Sequence, residues 1–154
     1  SIMVGGNKQA FIKSEELLKS YGKKIKFMGN SGSGQLTKII NQICIAGLIQ
    51  GLSEAIYFMK QTDLTPEDVL EVISSGAAQS WQMENRFSTM VNNEFDFGFA
   101  VDLMRKDLSI AFNQAQEYGI DLEVTKIVDD FYSEIQTMGG NKFDTSSLVK
   151  RLIP

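Results

Sequence analysis

Apolar positions divide the chain into a short mixed beginning and a long helical remainder. Ile2-Met3-Val4 is a brief apolar run stopped by Gly5-Gly6. Phe11, Leu17 and Leu18 then recur on one side of a pattern whose other side carries Lys13, Glu15, Glu16 and Lys19, and Tyr21-Gly22 closes it. This spacing predicts an amphipathic helix. Lys24-Ile25-Lys26-Phe27-Met28 alternates, which predicts a half-buried strand. Residues 1–30 thus read as strand, helix, strand, a βαβ-like unit too small to bury a core of its own. They are expected to be the last piece of a larger α/β sheet whose earlier strands lie outside this chain.

Gly29-Asn30-Ser31-Gly32-Ser33-Gly34 is the clearest breaker, and the domain junction is placed there, with residues 31–154 as a helical domain. Gln35 to Lys60 holds no proline and is densely apolar, enough for a helix of about 40 Å. Its middle, Ile43 to Ile49, is apolar on nearly all sides, which predicts a buried helix with neighbours all around, some from a second subunit. Cys44 is expected to be buried within it.

Shorter helices follow. Asp63-Leu64-Thr65-Pro66-Glu67-Asp68 offers an N-cap, a first-turn proline and acids at the positive end of the helix dipole. Ser80 is a cap for a helix through Met90, and Phe99 to Tyr118 reads as an amphipathic helix ended by Gly119. Another runs from about Glu123 to Met138, stopped by Gly139-Gly140, and Asp144-Thr145 opens a short last one. The fold class is mainly α, built around one long buried helix and preceded by a strand-helix-strand remnant of a Rossmann-type domain.

Composition narrows the chemistry. The 154 residues carry a net charge of −4, with 43% apolar and 22% charged residues, as in ordinary globular proteins. An acidic balance lacks the basic face that a nucleic-acid partner needs. No run of eighteen apolar residues occurs, so no membrane-spanning helix is expected. A single cysteine cannot form an internal disulfide, and a reducing, cytoplasmic setting is the expectation. With no histidine at all, neither a histidine triad nor a histidine metal site can be built from this chain, and no metal is expected. Proton transfer near neutrality falls to Lys, Asp, Glu, Tyr or Cys.

Three features could carry chemistry. Gly32-x-Gly34, between a strand and a long helix, is either an anion-binding turn at a helix N-terminus or simply a tight turn; it does not match the dinucleotide fingerprint. Lys38, Asn41 and Gln42 share a helical face by three- and four-residue spacing, a small polar cluster in apolar surroundings. Sheltering a lysine disfavours its charged form and suits it to acid/base work, although a solvated lysine at a helix start fits the same pattern. Lys106-Asp107 follows Phe99 by two helical turns, and spacing leaves open whether these charges are a site or a solvated face.

Gly32-Ser33-Gly34-Gln35-Leu36-Thr37-Lys38-Ile39-Ile40-Asn41-Gln42 closely resembles the catalytic segment of the β-hydroxyacid dehydrogenase family, which includes 3-hydroxyisobutyrate dehydrogenases and tartronate semialdehyde reductases. Phe99 through Lys106-Asp107-Leu108 resembles a second family segment, and Asp144-Thr145-Ser146-Ser147-Leu148 the family's C-terminal ending. The resemblance implies an NAD- or NADP-dependent oxidoreductase that moves hydride between nicotinamide and a small 3-hydroxy acid or its semialdehyde. It implies that Lys38 is the general acid/base, that Asn41 or Gln42 binds substrate and orients Lys38, and that Gly34 and Asp107 belong to the substrate side. Lys106 and Phe99 would contact the cofactor, which is held mainly by a nucleotide domain beyond residues 1–30. The chain alone is therefore expected to be inactive, and to form a homodimer or larger homo-oligomer through the long helix. The competing expectation is a non-catalytic helical dimerisation module.

Overall fold

The computed structural model describes residues 1–153, which form two compact units, Ser1–Gln42 and Ile43–Pro154. In the first, strand β1 (Ile2–Gly5) pairs in parallel with β2 (Ile25–Gly29) across helix α1 (Lys8–Lys19), in the register Ile2↔Ile25, Met3↔Lys26, Val4↔Phe27. Asn7 caps α1 through its Oδ1, which accepts from the Ala10 N–H at 3.0 Å. The Phe11 and Phe27 rings, 5.4 Å apart, join helix to sheet. Ile12 and Leu17 on α1 stay exposed.

Helix α2 (Ser33–Met59) begins one residue after Gly32, whose φ of +92° favours glycine. A Cβ at Gly34 would collide with the Met3 carbonyl oxygen and stand 3.1 Å from the Gly5 nitrogen. The first turn of α2 therefore packs backbone to backbone against β1. Gly34→Ala is expected to cost about 1–3 kcal/mol, the usual penalty for overpacking, read as a lowered urea midpoint.

The second unit continues α2 and adds α3 (Pro66–Ser74), α4 (Trp81–Val91), α5 (Val101–Tyr118), α6 (Glu123–Thr137) and a 3-10 helix, Thr145–Arg151. Ser80 caps α4, its Oγ accepting from the Met83 N–H, and Gly119 ends α5 in the left-handed conformation at φ +67°, both as the sequence predicts. Ala46 and Ile49 of α2 join Val101, Met104, Leu108, Val128, Tyr132, Ile135 and Leu148 in one apolar core. Leu52, Ile56 and Met59 join Met83, Phe87, Met90, Phe95 and Val149 in a second. One helix thus serves as the shared spine of both cores.

Two expectations are corrected. First, α2 is not buried all round: Ala46, Ile49, Ser53 and Ile56 face the cores, whereas Leu48, Gly51, Ala55 and Phe58 (73% exposed) do not. The helices of a single chain cover one side only. Second, Cys44 lies on the uncovered side and is exposed. By length and composition alone α2 would also pass for a membrane-crossing helix, although no unbroken apolar run signals it. Its buried Gln42, Gln50 and Ser53, with its place in two cores, mark it as a core helix.

Tyr132 is fully buried, and its hydroxyl donates to the Thr145 carbonyl at 3.2 Å. Burial raises its phenol well above the ordinary value of 10.0. The unfolded chain therefore loses this proton first as pH rises past 10, and stability falls from there by up to about 1.4 kcal/mol per pH unit. Tyr132→Phe is expected to remove that part of the alkaline slope in urea denaturation measured as a function of pH.

Candidate active site

Four-residue spacing on a helix places side chains one above the other. On α2 this brings the Lys38 Nζ to 2.9 Å from Gln42 Oε1. The same oxygen accepts from Asn41 Nδ2, also at 2.9 Å. Gln42 is 1% exposed, Lys38 is half-buried and Asn41 is open to solvent. The two amides therefore differ: Gln42 is the buried acceptor that fixes the ammonium, and Asn41 is the amide that faces outward. All three lie in the Ser1–Gln42 unit. Gly34 lies in the first turn of the same helix, and the close approach of β1 accounts for its missing side chain, which favours a tight turn over an anion cradle.

The remaining candidates lie in the second unit. On α5 the Lys106 Nζ stands 3.0 Å from Asp107 Oδ1. Asp107 is buried, while Lys106 is 61% exposed at the side chain, so a buried carboxylate tethers an exposed ammonium at the surface. Phe99 is not part of α5, contrary to the expected helix start. Its carbonyl accepts from the Thr145 N–H at 3.0 Å and its N–H donates to Asp144 Oδ2 at 2.9 Å, so the strand-like pairing of Ala100 with Asp144 holds this segment extended until Val101. Its ring packs half-buried on the first core.

Sequence reasoning gave no structural role beyond a helix start to one heavily bonded carboxylate. Asp144 is 1% exposed, and its oxygens accept from Arg86 Nε (3.0 Å), the Phe99 N–H, the Ser146 N–H (3.1 Å) and Ser146 Oγ (2.6 Å). The Asp144-x-Ser146 spacing signals a local cap. Nothing in the sequence signals Arg86, 58 residues away. Asp129 is half-buried and bidentate with Arg105 at 3.0 and 3.1 Å.

A nicotinamide dinucleotide presents phosphate anions and an apolar ring face. The chain's donors fit parts of such a ligand: the exposed Lys106 ammonium suits a phosphate, and the half-buried Phe99 ring suits a flat apolar face. The comparisons point to the same class of cofactor. A family model described as the NAD-binding domain of NADP-dependent 3-hydroxyisobutyrate dehydrogenase matches residues 32–152. An uncharacterized oxidoreductase of Shewanella frigidimarina is 51% identical over 152 residues, and the 2-hydroxy-3-oxopropionate reductase of Escherichia coli 33% identical over 152. Each alignment takes in 99% of this chain and 52% of the relative. The chain spans about half the length of the curated relatives it matches. A Mycobacterium tuberculosis 3-hydroxyisobutyrate dehydrogenase shares the fold at TM-score 0.88 and 23% identity, over 99% of this chain and 54% of that one. The chain belongs to the 3-hydroxyisobutyrate dehydrogenase family, whose members are NAD(P)-dependent hydroxyacid oxidoreductases.

Proposed function

We propose that this chain is the C-terminal part of an NAD(P)-dependent enzyme that interconverts a small 3-hydroxy acid and its semialdehyde, with Lys38 as the proton-transfer residue. The observation that carries the reading is the Lys38–Gln42–Asn41 cluster, an ammonium fixed by a buried amide in a chain without histidine. Bound nicotinamide supplies or accepts the hydride. Lys38 gives a proton to the carbonyl oxygen in reduction and takes it from the hydroxyl in oxidation. Gln42 holds the ammonium in one orientation, which lowers the entropy lost on reaching the reactive geometry. Asn41 hydrogen-bonds the substrate, and Gly34, on the substrate side, lets the first turn of α2 pack against β1. Lys106 contacts a cofactor phosphate, Asp107 orients Lys106, and Phe99 walls the nicotinamide.

Residues 1–30 are, in this reading, the last strand-helix-strand of a nucleotide-binding domain, and 31–154 the helical substrate domain. The exposed Ile12 and Leu17 support it, as surfaces that further strands and helices would cover. The isolated chain is then inactive. The uncovered face of α2 supports homo-oligomer formation: beside it lies an apolar groove of about 410 Å³ lined by Gly47, Leu48, Gly51, Ala55, Ile73 and Met83. The test of the function is NAD(P)H oxidation by the full-length polypeptide over a panel of small semialdehydes, 2-hydroxy-3-oxopropionate among them. Turnover of at least one supports the reading; a protein that dimerises but turns over none is a non-catalytic module instead.

A further inference from the structure

We infer that Arg86 and Asp144 form a positioning clamp that sets the entry into α5, and through it the grip of Phe99 and Lys106 on the cofactor; this rests on the functional reading above. Ala100, which precedes α5, makes no side-chain cap. The helix start is fixed from outside instead. Val101 N–H donates to the Phe143 carbonyl, Asp102 N–H to the Asn141 carbonyl and Asp144 N–H to the Phe95 carbonyl, so residues 95–102 are sewn to 141–145. The Asp144 carboxylate closes this seam by accepting the Phe99 N–H. It lies so near Gly98, at φ +74°, that a Cβ there would overlap Asp144 Oδ2.

Arg86 holds the carboxylate from the other side. Its guanidinium donates to Asp144 Oδ1 and lies 4.9 Å from the Trp81 ring centroid and 5.0 Å from that of Phe97. A planar cation stacked on two rings has little freedom, so it fixes the carboxylate it binds. Lys106 stands five residues into α5, about 7.5 Å along the helix from Val101. A shift at the seam therefore moves Phe99 and Lys106 together.

Trp81 is the only tryptophan of the chain, so its emission reports the clamp. In the full-length enzyme, Arg86→Lys keeps the charge but loses the flat stack and the guanidinium fork; Asp144→Asn keeps the shape but loses the charge. Both are expected to keep wild-type circular dichroism and to shift Trp81 emission. The Kd for NAD(P)H, read by titration without substrate, should rise about 10-fold or more. The pH profile of kcat at saturating cofactor should not move. If Asp144→Asn does not fold, Arg86→Lys alone decides. A folded variant with shifted Trp81 emission and a wild-type Kd would overturn the clamp and leave the function standing. So would a weakened Kd that merely tracks the unfolded fraction. A wild-type enzyme that binds no nicotinamide cofactor overturns both.

Discussion

Asp144→Ala is expected to cost about 3–5 kcal/mol of stability, the usual result of removing one partner of a buried ion pair. That is a large fraction of the roughly 5–15 kcal/mol that holds a domain together. The carboxylate is 1% exposed and accepts from Arg86, from the Phe99 backbone and twice from Ser146. Alanine leaves the guanidinium without its anion and strands three further donors, each of which pays desolvation without a partner. It also unties the segment before α5 from the 3-10 helix that caps both cores through Leu148 and Val149. Urea denaturation of the 154-residue chain measures this directly. An unfolding free energy within about 0.5 kcal/mol of wild type, the range of ordinary surface substitutions, would show that Asp144 carries no such load.

Lys38→Ala is expected to lower kcat of the full-length enzyme by about 10²- to 10⁴-fold, the range for loss of a general acid/base. The cofactor KM should change little, because the cofactor contacts are assigned to Lys106 and Phe99. The fold should survive. Lys38 is half-buried rather than core, and Gln42 Oε1 still accepts from Asn41 Nδ2 when the lysine is gone. A fall in kcat at constant cofactor KM is what loss of an interaction made only in the transition state predicts. A rise in KM at constant kcat would instead make Lys38 a binding residue.

What the sequence reveals follows from the range over which each signal acts. Ser80 and Gly119 mark helix ends through their own side chain or backbone, so α4 and α5 end where the residues say. Lys38 and Gln42 meet because they are four apart on one helix, and that contact is readable from spacing. Which amide is buried was not readable, because it depends on what packs around the helix. The same limit explains α2: periodicity shows an apolar surface but not how many neighbours cover it, so Cys44, expected inside, lies outside, as does Leu48. Phe99 sits beyond its helix because of hydrogen bonds to Asp144 and Thr145, more than forty residues later. The Arg86–Asp144 pair is of the same kind. The roles of Lys38, Lys106 and Phe99 came from family resemblance rather than spacing, which alone left each of them open.

The central claim is that the Lys38 amine moves the proton. Chemical rescue tests it most directly: Lys38→Ala in the full-length enzyme, assayed for semialdehyde reduction with and without a small primary amine such as ethylamine. The account predicts a nearly inactive variant whose turnover rises with amine concentration at unchanged cofactor KM. An alanine variant that turns over at the wild-type rate without any amine would contradict it.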